Sequence, residues 1–126
     1  MECIIDTSSF IFAIKNRCDI LSNLKFEYPK VEVAISEGIM EELEGISSER
    51  GKYGIFAKTI IEMLKNKNIK VYNNKDYVDD WILDHSIQNK ESGINQLVIT
   101  NDTRLYKKLK GNGINVKKVS INCRLR

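Results

Sequence analysis

One proline, one histidine, and three cysteines with no C-x-x-C pair among them are all that 126 residues offer of those types. Each scarcity excludes something. An odd, widely spaced set of cysteines (Cys3, Cys18, Cys123) suggests neither a zinc framework nor a disulfide scaffold. Cys3 alternates into an apolar stretch and reads as a small buried hydrophobe rather than a reactive thiol. The lone His85 falls on the apolar side of its segment, which suits a satisfied core residue better than a general base. No apolar run approaches the roughly 20 residues that span a bilayer. The N-terminus lacks the basic and then apolar segments of a secretory signal. The expectation is a soluble, cytoplasmic protein with no membrane partner. No glycine-rich loop follows the first apolar run, which excludes a P-loop or dinucleotide fingerprint. Gly, Pro and Ser are nowhere concentrated into a linker and no repeat is visible, so residues 1–126 read as one domain.

Acidic residues are also missing from one place. Net charge is only +3, yet from Arg104 to the C-terminus there is no Asp or Glu at all. Arg104, Lys107, Lys108 and Lys110 lead this basic flank, and Lys117, Lys118, Arg124 and Arg126 follow. Such a flank suits a polyanion such as nucleic acid, although a solubilising helix face has the same composition.

What is present alternates. β-branched and apolar runs at 2–6, 31–35, 69–72, 97–100 and 114–119 read as strands. Between them, 36–45, 53–66, 77–86 and 102–110 carry helical periodicity. Ser36 is placed to cap the first of these segments, and Asp102 or Asn101 the last, which Gly111 and Gly113 stop. Strand and helix in alternation predict an α/β fold, a three-layer α/β/α sandwich around a mostly parallel, about five-stranded sheet. In such sheets ligands bind beyond the carboxyl ends of the strands.

Two apolar runs end on carboxylates at such positions: "CIIDTSSF" brings Asp6, and "LVITND" brings Asp102. Helical turning singles out two more. In "SEGIMEELEG", Glu42 lies about 60° from Ile39, at the edge of the apolar stripe, whereas Glu41 and Glu44 point further away. In "YVDDWILDHS", Asp79 falls at the core-side edge, while Asp80 and Asp84 face outward. Each acid taken alone has a plain structural use: capping a helix, favouring its N-terminus, or solvating its surface. Four at strand ends or inward edges need another reason, because converging carboxylates repel and their pKa values rise unless a cation neutralises them. An all-oxygen donor set favours Mg²⁺ or Mn²⁺ over zinc. Thr7, Ser8, Thr100 and Asn101 are the hydroxyl and amide groups suited to hold the waters of such an ion.

These residues resemble those of the PIN-domain nucleases. The resemblance runs through nearly the whole chain and rests on four pieces in order: "IIDTSSF", "ISEGIMEEL", "VDDWIL" and "LVITNDTRL". It implies a parallel-sheet fold and Mg²⁺- or Mn²⁺-dependent hydrolysis of RNA phosphodiester bonds, with Asp6, Glu42, Asp79 and Asp102 as the catalytic and metal-binding acids. Ile82 stands three residues after Asp79 and Thr100 two before Asp102, as the family pattern expects. Ser8 replaces the asparagine that many members carry, and Asp80 leaves the third acid ambiguous by one position. The resemblance does not separate a VapC-like toxin, with an antitoxin partner, from an RNA-processing enzyme with its own partner protein. It also implies a homodimer, to which Phe10 and Phe12 could contribute if they are not helix core.

Single-stranded or looped RNA is the expected substrate, held by Arg104, Lys107, Lys108 and Lys110. A non-catalytic RNA-binding or scaffold protein on the same fold is the alternative. A phospho-acceptor role for Asp6 is disfavoured, because Asp6 has no acidic neighbour at the first strand.

Overall fold

The computed structural model describes residues 1–67 and 69–126. It contains five strands, β1 (Glu2–Ile5), β2 (Glu32–Ser36), β3 (Lys70–Tyr72), β4 (Gln96–Ile99) and β5 (Val116–Lys117). Its helices are α1 (Thr7–Lys15), α2 (Ile20–Glu27), α3 (Glu37–Ser47), α4 (Lys52–Asn66), α5 (Val78–Glu91) and α6 (Thr103–Gly111). All pairings are parallel, in the order β3-β2-β1-β4-β5. Cys3, Ile4 and Ile5 in the central strand are fully buried, as are Leu97, Val98 and Ile99 beside them. A parallel strand covered on both faces must be apolar at every position, which is why these runs are continuous rather than alternating.

The strand order sets the layers. The chain steps from β1 to β2 to β3 in one direction, then returns past β1 to lay down β4 and β5 in the other. Crossovers of one hand that step in opposite directions leave their helices on opposite faces of the sheet. Consistent with this, α1, α3 and α4 pack on one another, and α5 packs on β4 and α6. The result is an α/β/α sandwich. The direction reverses between β1 and β4, whose register runs from Glu2↔Gln96 to Ile5↔Ile99. A crevice therefore opens where these two strands end, the usual ligand position in open α/β sheets.

Local chemistry accounts for the elements that frame this crevice. Ser36 accepts the Ile39 amide and starts α3, and Asp102 accepts the Leu105 amide and starts α6. Gly113, at φ +71°, turns the chain out of α6. Ile39 and Leu43 of α3 are fully buried, as are Ile82 of α5 and Leu109 of α6.

Three expectations need correction. Helix α2 had not been anticipated, although Ile20, Leu21 and Leu24 are its buried residues. The stretch 114–119 yields only the two-residue strand β5, because the chain beyond turns back: Val119 bridges Leu125 antiparallel, and Lys118 and Arg126 exchange backbone hydrogen bonds. Cys18 and Cys123 are not independent thiols; they form a disulfide across 105 residues. No spacing rule reveals such a pair, since the return of the C-terminal hairpin onto the α1–α2 turn creates it. Cys3 is free and buried, as expected. Phe10 lies in the core and Phe12 packs against it, so Phe10 is not available to a dimer interface. No helix among the described residues is long and apolar enough to cross a membrane.

Candidate functional site

Asp6 follows β1 directly and is 5% exposed, the only buried acid among the described residues. It occupies the position before α1, yet its side chain makes no capping hydrogen bond. The carboxylate instead receives two hydroxyls on Oδ2, from Ser8 at 2.9 Å and Thr100 at 2.9 Å. Thr100 is fully buried at the end of β4, so the hydroxyl of one central strand holds the carboxylate of the other. Thr7 donates to Oε1 of Glu42 at 2.7 Å, tying α1 to α3. The Asp102 amide donates to the Thr100 hydroxyl at 3.1 Å, which sets the turn into α6.

The four acids line one cleft of about 430 Å³, together with Thr7, Ser8, Gly45, Ile46, Glu49 and Tyr77. Its size falls in the range of about 300–1,000 Å³ usual for ligand sites. Asp6 stands at the end of β1, Glu42 comes from α3, Asp79 from the first turn of α5, and Asp102 from the start of α6. Asp79 is half-buried and Asp80 and Asp84 are exposed, as the helical wheel had separated them. Glu42 is exposed but turned toward Thr7.

Electrostatics tie the acids together. Burial raises the pKa of Asp6, and the negative charge of Glu42 adds to it; the Ser8 and Thr100 hydroxyls lower it without offsetting the rise. Asp79 is raised by burial and then by the charges of Asp6 and Asp102, with Lys108 opposing. Asp6 and Asp79 are thus destabilised by burial and by the neighbouring acids, the condition a cation would relieve. The donor set is oxygen only. Among the described residues no three of the acidic, imidazole or thiol groups stand close enough to grip one ion between them. The arrangement therefore does not resemble a closed structural site. An ion such as Mg²⁺, which keeps several waters and takes one or two carboxylates, would not require one.

The other expected residues divide. Ser8 and Thr100 hold Asp6, and Thr7 holds Glu42, so their hydroxyls orient carboxylates rather than facing open space. Asn101 is turned away from the acids. Its Oδ1 accepts from Ser9 and from the Val119 amide, and its Nδ2 donates to the Val119 carbonyl. It fixes the loop before Asp102 to the C-terminal hairpin, so its expected water-holding place is corrected to a positioning one. Arg104, Lys107, Lys108 and Lys110 are exposed on α6, and none of them lines the cleft. Lys108 is near enough to act on Asp79. His85 bonds Glu2 at 2.7 Å and stacks on Trp81, away from the cleft. Sequence reasoning missed Tyr77, Gly45, Ile46 and Glu49. The one available signal was an aromatic residue inside the polar stretch "NNKDYVDD", two residues before Asp79.

Comparison with known proteins bears on the family and the fold. A family model described as a PIN like domain matches residues 3–122. The structure of the PIN domain endonuclease Utp24 is similar with 27% sequence identity and a TM-score of 0.79, over 99% of this chain and 89% of that one. VapBC-1 from nontypeable Haemophilus influenzae is similar in fold at 16% identity and a TM-score of 0.57, over 94% of this chain and 98% of that one. VapBC2 from Rickettsia felis, bound to a DNA fragment from its promoter, gives 16% identity and a TM-score of 0.59, over 95% of this chain and 100% of that one. No protein of curated function matches the sequence.

Proposed function

This chain belongs to the PIN-like domain family, and from that premise we propose that it is a divalent-metal-dependent endoribonuclease acting at the cleft of Asp6, Glu42, Asp79 and Asp102. The observation that carries the proposal is the meeting of four acids from four elements in one cleft at the reversal point of the sheet. A protein that needed these residues only for folding would use Asp6 as a helix cap, and it does not. The likeness to Utp24, a PIN domain endonuclease, supports the hydrolytic reading.

The cleft acids would hold Mg²⁺ or Mn²⁺ directly or through waters. Bound there, the metal would supply Lewis-acid stabilisation of the phosphate and a water of lowered pKa. The protein's own groups do the rest. Ser8 and Thr100 fix the orientation of Asp6, and Thr7 fixes that of Glu42. Asp102 spends Oδ1 on the Leu105 amide, which leaves its other oxygen for the cleft. Raised pKa values at Asp6 and Asp79 leave both acids easier to protonate before a cation arrives. Arg104, Lys107, Lys108 and Lys110 draw the phosphate backbone toward the acidic mouth without lining it. RNA affinity should therefore fall as salt rises.

The test is cleavage of a single-stranded RNA by the wild type and by Asp102→Asn, with Mg²⁺ or Mn²⁺ and with chelator. The proposal expects metal-dependent cleavage that drops at least about 100-fold in the variant, the scale of losing a group aimed at transition-state charge. An Asp102→Asn protein cleaving at the wild-type rate would refute it. One observation favours a second reading, a non-catalytic RNA-binding protein: no three donors are close enough to hold an ion unaided among the described residues. That reading expects RNA binding indifferent to chelator and no cleavage.

A further inference from the structure

Four of the five tyrosines are accounted for within the protein. Tyr53 meets Phe56, Tyr72 meets Trp81 and His85, Tyr106 lies under Lys110 and Lys118, and Tyr28 lies under Lys117. Tyr77 has no aromatic or cationic partner among the described residues and is 68% exposed. It is also the one tyrosine that lines the acidic cleft. Its backbone starts α5, where its carbonyl accepts the Trp81 amide, but its side chain makes no capping bond. The ring is therefore not needed to begin the helix.

Gly45 lines the same cleft from α3. A Cβ added there would meet nothing within 4 Å, and its φ is not positive, so neither packing nor backbone geometry requires glycine. Glycine is a poor helix former, and its place inside α3 weakens that helix without a structural return. What its missing side chain leaves is open space in the cleft. Ile46 adds an apolar lining beside it.

We infer that Tyr77 is a stacking platform for a nucleobase next to the phosphate to be cleaved, and that Gly45 leaves the room this base occupies. The inference rests on the nuclease reading above and narrows its substrate to RNA with an unpaired base at the cleavage point. A free aromatic face attracts any base, whereas in a duplex the bases are stacked on one another and beyond its reach. Tyr77 supplies affinity and placement; the carboxylates supply the chemistry.

The test uses a single-stranded RNA carrying 2-aminopurine, whose fluorescence is quenched on stacking, mixed rapidly with protein and Mg²⁺. The wild type and Tyr77→Phe should quench alike. Tyr77→Ala should bind about 5- to 150-fold more weakly, the range of one base–aromatic stack. In cleavage assays it should raise KM more than it lowers kcat. An RNA lacking the base at the stacked position should be bound equally by wild type and Tyr77→Ala. Gly45→Leu should lose quenching and affinity while its thermal midpoint is not lowered, leucine being the better helix former. Cleavage with unchanged KM and quenching in Tyr77→Ala would overturn the stacking site and leave the nuclease reading standing. A wild type that quenches the probe but cleaves no RNA would overturn the nuclease reading and leave the stacking site standing. A wild type that binds no RNA would overturn both.

Discussion

Asp6 and Asp79 show, at the level of a single residue, the cost of gathering carboxylates in one cleft. Both are held above the ordinary aspartate range, chiefly by burial and then by neighbouring negative charge. A group whose pKa is raised in the folded state binds protons that the unfolded chain releases. Stability is therefore favoured at low pH and lost as pH rises from the ordinary aspartate value through the raised one. At neutral pH the metal-free protein carries these charges against its own stability. Asp79→Asn should accordingly raise the thermal midpoint at pH 7 by about 2–4 °C, scaled to a fraction of a kcal/mol in a domain of this size. The difference should vanish at about pH 3 and below, well under the ordinary aspartate value of about 3.9, where the side chain is largely protonated in either state. Thermal unfolding followed by circular dichroism across this pH range checks both statements. Saturating Mg²⁺ should shrink the gap at pH 7, since the cation relieves the repulsion that the substitution removes.

The elements differ in how far they could be read in advance. Continuous apolar runs located β1 and β4, and a 100° wheel separated Glu42 from its neighbours and Asp79 from Asp80. These features follow from local periodicity. Helix α2 carries its buried residues on only Ile20, Leu21 and Leu24, a spacing too short to stand out beside longer segments. The C-terminal hairpin could not be read because its partners are remote: Cys123 meets Cys18, its carbonyl accepts from Asn23, and Val119 meets Asn101. Tyr77 was missed for a related reason, because the cleft it lines is assembled from four elements far apart in sequence. Through Asn101 the hairpin holds the loop that carries Asp102, so the disulfide braces one corner of the cleft. Reduction, or paired Cys18→Ser and Cys123→Ser substitution, should lower the unfolding free energy by about 2–4 kcal/mol. Urea unfolding under oxidising and reducing conditions measures this, and identical midpoints would contradict it.

At the scale of the whole molecule, the sheet order does the assembling. Strands β1 and β4 are adjacent in space and some ninety residues apart in sequence, pairing Glu2 with Gln96. Reversal of the strand order between them opens the crevice, and helices from both faces bring Glu42, Asp79 and Asp102 to its rim. The alternation of strands and helices implied this architecture. The residues that only shape the cleft, Gly45, Ile46 and Glu49, carry no pattern that distinguishes them from ordinary helix surface. The basic composition after Arg104 likewise became a position only once α6 was set beside the acidic mouth.

We propose that this mouth holds a divalent cation through Asp6 and its companions. A calorimetric titration of Mn²⁺, carried to millimolar metal in the presence of a short single-stranded RNA, tests it most directly in the wild type and in Asp6→Asn. The account predicts uptake by the wild type that is lost in the variant, while the circular dichroism spectra of the two proteins coincide. Equal Mn²⁺ uptake by both proteins would contradict it.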